Sequence, residues 1–147
     1  MSLDAADVIA DLLARGHSVR FRARGHSMHP LIRSDDYLLV VPAPQIARGD
    51  VVLTRADRGL TAHRVVSIAG NVVITRGDNA PADDAPIARE RVLGVVTHAE
   101  RDGRMWRVGR LTRLGVFVRR YAGRFGVRWQ SHRFGRKAAA LPPHSET

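Results

Sequence analysis

From residue 18 to residue 108 the chain is a succession of short apolar or alternating runs, each closed by glycine, proline or aspartate. An α-helix of ordinary length does not fit between such breaks, whereas a strand does. Ser18 to Ala23 alternates, with Val19, Phe21 and Ala23 on one side and arginines on the other, the pattern of a half-buried strand. Asp35-Asp36 reads as a turn, and Tyr37 to Val41 as an apolar strand stopped by Pro42 and Pro44. Val51 to Thr54 and Leu60 to Ile68 flank the hairpin turn Asp57-Arg58-Gly59, and Gly70-Asn71 leads into Val72 to Thr75. Residues 77–90, rich in Gly, Asp, Asn and Pro, predict a long loop. Arg91 to His98 and Met105 to Val108 are matched across Asp102-Gly103. About seven short strands at this spacing predict a compact, mostly β domain over 18–108.

The flanks differ in character. Residues 1–17 predict an amphipathic helix over 3–15, with Leu3, Val8, Ile9, Leu12 and Leu13 on one face, Ser2 as cap and Gly16 as stop. It is too short to span a bilayer, and its Asp4, Asp7 and Asp11 stand where a secretory signal needs basic residues. Residues 109–129 place Leu111, Leu114, Val118, Tyr121 and Phe125 at helical spacing with Arg113, Arg120 and Arg124 on another face, predicting a basic amphipathic helix. Residues 130–147 are basic, then rich in Ala, Pro and Ser, and read as a disordered tail.

Charge follows the same division. Residues 1–100 balance twelve arginines against twelve acids, while 101–147 set twelve Lys+Arg against Asp102 and Glu146 and so carry the whole net charge of +10. A neutral domain with a basic extension favours an anionic membrane surface as partner for 109–129. Nucleic acid is the weaker alternative, supported by aromatic residues interleaved with the arginines of 104–137. With no transmembrane segment or secretory signal, a cytoplasmic or peripherally membrane-associated protein is expected. The absence of cysteine excludes disulfides and thiolate metal sites.

Three segments carry side chains suited to chemistry. In Arg24-Gly25-His26-Ser27-Met28-His29-Pro30, Gly25 permits a backbone that other residues avoid and Pro30 keeps His29 out of helix, so Ser27 is presented on a loop. It is either a polar turn or a nucleophile, and a nucleophile needs a base beside it. His63 lies within a strand, in Ala62-His63-Arg64-Val65-Val66, as a packed residue or as that base. Gly77-Asp78-Asn79-Ala80-Pro81-Ala82-Asp83-Asp84 offers carboxylates that either form turns or support the histidine. His26, His29 and His63 have none of the spacings of a metal motif, so no metal or other cofactor is expected.

In this order and with these flanks, the segments resemble the signal peptidase I superfamily, which includes the self-cleaving SOS-type repressors. The resemblance rests on Gly25-His26-Ser27-Met28-His29-Pro30, Gly49-Asp50-Val51-Val52, His63-Arg64-Val65-Val66, Thr75-Arg76-Gly77-Asp78-Asn79, Asp83-Asp84 and Val92-Leu93-Gly94-Val95-Val96, and covers roughly residues 18–98. It implies that Ser27 is the nucleophile and its backbone N–H an oxyanion donor. His63 in a His-Arg-Val context is similar to the archaeal and endoplasmic-reticulum branch, where histidine replaces the lysine base. The residue inventory agrees: Lys137, the only lysine, lies in the tail, and an arginine cannot deprotonate near neutral pH. The resemblance also implies that Asp84 orients the imidazole; Asp78 competes for that role or holds the loop. Many signal peptidases have a further oxyanion serine two positions before the nucleophile, where this chain has Gly25.

The expected function is that of a serine endopeptidase cleaving a leader or signal peptide, with a peptide or preprotein as substrate. Because residues 1–17 read as an amphipathic helix, a free-standing catalytic domain is expected, without the N-terminal membrane helix usual in signal peptidases or a repressor's DNA-binding domain before Ser18. A non-catalytic binding module of the same fold is the alternative.

Overall fold

The computed structural model describes residues 4–57 and 59–110. The expected basic helix beyond Arg110 and the tail of 130–147 lie outside the described residues, as do Ser2 and Leu3.

The first element is α1 (Ala5–Ala14). Asp4, rather than the expected Ser2, caps it, its carboxylate accepting from the Ala6 N–H at 3.3 Å. Ala6 and Leu13 are buried and Ile9 packs on the core, while Val8 and Leu12 remain exposed. The sheet covers a stripe spaced by three and four residues, narrower than the apolar face read from the sequence.

Eight strands follow: β1 (Val19–Arg22), β2 (Tyr37–Val41), β3 (Val51–Ala56), β4 (Gly59–Ala69), β5 (Val72–Arg76), β6 (Ile87–Ala88), β7 (Val92–Arg101) and β8 (Arg104–Arg107). They form one sheet in the order β1-β2-β7-β3-β4-β5-β6, with β8 beside β7 and every pairing antiparallel. The strand not foreseen is β6, two residues inside the expected loop, where Val72 faces Ala88. Its brevity is why no periodicity announced it. The turn from β7 to β8 is Asp102-Gly103, both with positive φ, the geometry of a two-residue hairpin.

β7 organises the sheet. One of its edges pairs with β2, and the other passes from β3 to β8, because β3 meets Val92–Val95 and β8 meets His98–Arg101. β3 is buried on both faces, which explains its unbroken apolar run. Val51 and Leu53 join a core with Leu13, Leu38, Val40 and Val96. Val52 turns the other way, into a second core with Val65, Val73 and Val92. Each side chain fully buried there contributes roughly 1.5–3 kcal/mol. Among the described residues no helix is long and apolar enough to cross a membrane.

Candidate active site

The loop after β1 presents Ser27. Its base is closed by Ala23 N–H donating to the Asp36 carbonyl at 2.7 Å and Asp35 N–H to the Ala23 carbonyl at 2.8 Å. Gly25 takes φ +85°, the left-handed conformation anticipated for it. Met28 is buried in the first core while Ser27 is exposed, so burial of the methionine anchors the loop and fixes where its neighbour stands.

β4 supplies the partner. The Ser27 Oγ lies 3.0 Å from His63 Nε2, and His63 Nδ1 lies 2.6 Å from Asp84 Oδ2. A carboxylate can only accept, so the bond to Asp84 places the imidazole proton on Nδ1 and leaves the Nε2 lone pair for the serine hydroxyl. Thr75 Oγ1 donates to the same Asp84 oxygen at 2.7 Å, and the Asp84 N–H donates to the Thr75 carbonyl at 2.8 Å. His63 faces Val52 in the strand register and shares its side of β4 with Val65. Val65 in turn faces Thr75, so the second core forms the floor beneath the imidazole and its carboxylate.

Asp78 does not meet His63. It receives Arg64 Nε at 2.8 Å and Nη2 at 2.7 Å, a two-pronged ion pair buried on both sides. Successive strand residues point to opposite faces, so His63 and Arg64 reach opposite sides of β4. The loop after β5 wraps around that strand and is held from both. On the Arg64 side, Arg76 donates to the carbonyls of Ala80 at 3.0 Å and Pro81 at 2.8 Å, and pairs with Asp83 at 3.6 Å. On the His63 side, Thr75 holds Asp84.

The same loop seats the serine. Asn79 N–H donates to the Ser27 carbonyl at 2.8 Å, and Asn79 Nδ2 to the His26 carbonyl at 3.3 Å. A Cβ on Gly77 would stand 2.6 Å from the Ser27 carbonyl oxygen and 3.2 Å from His63 Nε2. Only glycine lets the two segments close to this distance. Sequence reasoning assigned no part to Arg64, Thr75, Gly77 or Asn79 in holding the array, although all lie in the quoted motifs. The signals were present in Gly77 beside a candidate carboxylate and in the charged Arg64 within an apolar strand.

Among the described residues, the Ser27 N–H donates no hydrogen bond within the protein. His26 Nδ1 and His29 Nε2 meet at 3.3 Å beside the serine. Burial first, then the neighbouring His26 and Arg33, holds the His29 imidazole below the ordinary histidine range. Among the described residues no three His, Asp or Glu side chains gather as metal ligands would.

A mostly β domain carrying hydroxyl, imidazole and carboxylate in file defines, as a class, a serine-peptidase-like protein. The chain belongs to the Peptidase S24-like family, whose model matches residues 3–97. That span contains Ser27, His63, Asp78 and Asp84 and ends before β8. Comparison with curated proteins returns no match. Membership points to serine-peptidase chemistry at a coarse level, in a family that also includes self-cleaving repressors.

Proposed function

We propose that this protein is a serine endopeptidase of the histidine-containing signal-peptidase type, acting on the leader of a peptide or preprotein. The observation that carries the reading is the unbroken file from Ser27 Oγ through His63 to Asp84, with contacts of 3.0 and 2.6 Å. His63 Nε2 takes the hydroxyl proton as Ser27 Oγ attacks the scissile carbonyl carbon. The imidazolium is stabilised by Asp84, and the Ser27 N–H stands ready for the oxyanion. Collapse of the tetrahedral intermediate breaks the C–N bond, and His63 returns its proton to the leaving amine. Water, deprotonated by His63, then attacks the acyl-enzyme; the ester bond breaks and Ser27 recovers its proton. The charge imbalance of the C-terminal third supports an anionic membrane surface, met through 109–129, as the place where substrate is encountered.

The test is acylation by a panel of serine-directed probes, a penem-type acylator among them, followed by intact mass. Wild type should gain one adduct on Ser27, while Ser27→Ala and His63→Ala gain none. An adduct that persists in Ser27→Ala overturns the assignment. An unreactive wild type favours a non-catalytic binding module, and then loss of nucleic-acid or anionic-vesicle binding with salt becomes the deciding measurement.

A further inference from the structure

The chain does not leave the domain when β8 ends. Val108 is buried, and its N–H donates to the Thr97 carbonyl at 2.8 Å, at the point where the edge of β7 passes from β8 to β3. The next two residues turn toward the root of β3. The Gly109 carbonyl accepts from Arg64 Nη1 at 3.2 Å, and the same nitrogen donates to the Gly49 carbonyl at 2.8 Å. Arg110 Nε donates to Asp50 Oδ1 at 2.6 Å, and Asp50 is itself buried, its other oxygen accepting from the Ala47 N–H at 2.8 Å.

These contacts continue into the site. Arg64 holds Asp78, whose neighbours Gly77 and Asn79 close on Ser27, and Arg64 follows His63 in β4. Arg64 is buried, so a lost acceptor at Gly109 would leave one of its N–H groups unpaired away from water. That cost falls on the group that positions the Asp78 loop. Arg110 differs from a purely structural residue in one respect. Its side chain is 66% exposed, so removing it sacrifices little packing. The Asp50 hydrogen bond also raises the Arg110 guanidinium above its usual range.

We infer that Gly109 and Arg110 form a clamp that positions the Ser27–His63 pair through Asp50, Arg64 and the Asp78 loop. Arg110 is thus a positioning residue, and the beginning of the basic C-terminal region is part of the machinery of the site. The inference rests on the acyl-transfer reading above. It lies outside the matched family span, which ends at residue 97.

The experiment uses the full chain with Arg110→Ala, Arg110→Glu and Arg110→Lys, and with Arg15→Gln/Arg91→Gln, two exposed arginines of the domain, as a charge control. Probe acylation at Ser27 is followed by intact mass, alongside Tm and the NMR signals of the Asn79 amide and the His63 ring nitrogens. The expected rate falls on the order of tenfold in Arg110→Ala and further in Arg110→Glu, since small misplacement of reacting groups is costly. Arg110→Lys recovers most of the rate, because an ammonium still pairs with Asp50. The charge control acylates as wild type does. Tm falls by about 4 °C or less in Arg110→Ala, as expected for loss of an exposed ion pair. Wild-type rates in both Arg110→Ala and Arg110→Glu overturn the clamp. An equal loss in the charge control also overturns it, in favour of a general electrostatic effect. If wild type itself does not acylate, the catalytic reading fails and the NMR signals decide the clamp. Shifts at Asn79 and His63 in Arg110→Ala uphold it, and unchanged signals overturn it.

Discussion

Gly77→Ala tests whether close approach of two backbones, rather than any side chain, sets the geometry of the site. The new methyl would stand 2.6 Å from the Ser27 carbonyl oxygen, 3.1 Å from Ser27 Cβ and 3.2 Å from His63 Nε2. A carbon rests comfortably at about 3.5 Å from its neighbours, so the Ser27 segment must retreat by close to 1 Å. Two contacts oppose that retreat: the 2.8 Å bond from Asn79 N–H to the Ser27 carbonyl and the 3.0 Å contact from Ser27 Oγ to His63. The buried Met28 opposes it as well. Misplacement of about 1 Å costs on the order of a hundredfold in rate, equivalent to about 2.7 kcal/mol of barrier. Overpacking should cost a further 1–3 kcal/mol or so of stability. The assay is the second-order rate of Ser27 acylation, read by intact mass, with chemical denaturation on the same sample. A Gly77→Ala protein that stays folded and acylates at the wild-type rate would refute the reasoning, because the methyl would then have been absorbed without moving Ser27.

The two carboxylates should separate by phenotype. Asp84→Asn should lower acylation by roughly a hundredfold or more with a small change in Tm, since it weakens the orientation and charge stabilisation of the imidazole. Asp78→Asn, by contrast, strips the buried Arg64 of its counter-charge and should cost about 3–5 kcal/mol of stability; comparable Tm values for the two variants would contradict this division of labour. His29 should make stability depend on pH. Its pKa is lowered in the folded state, so the unfolded chain binds the proton more readily and stability rises with pH. The contribution is complete above the ordinary histidine pKa and is lost as pH falls through the lowered value. Urea midpoints at pH 7 and pH 5 should therefore converge in His29→Gln relative to wild type, and an unchanged difference would count against the assignment.

Much of the strand pattern is legible because sheet strands announce themselves locally. Val19, Phe21 and Ala23 alternate against arginines, and the run Val51–Thr54 is apolar throughout because β3 is buried on both faces. β6 was not legible, since two residues carry no period. The apolar face of α1 was overestimated because helical spacing defines a stripe and says nothing of how much of it the sheet will cover.

The sequence by itself determined which residues could do the chemistry. It supplied a serine on a loop after Gly25, His63 in a strand setting beside Arg64, no lysine within the domain and two candidate carboxylates. Only the tertiary structure decided how they are shared out. Asp78 and Asp84 are six positions apart in one polar loop, and no local property distinguishes them. The distinction arises because β4 points His63 to one face and Arg64 to the other, and the loop wraps the strand so that one carboxylate reaches each. The parts played by Gly77, Thr75 and Gly109 are likewise relations between segments distant along the chain. They exist only once antiparallel pairing has brought those segments together.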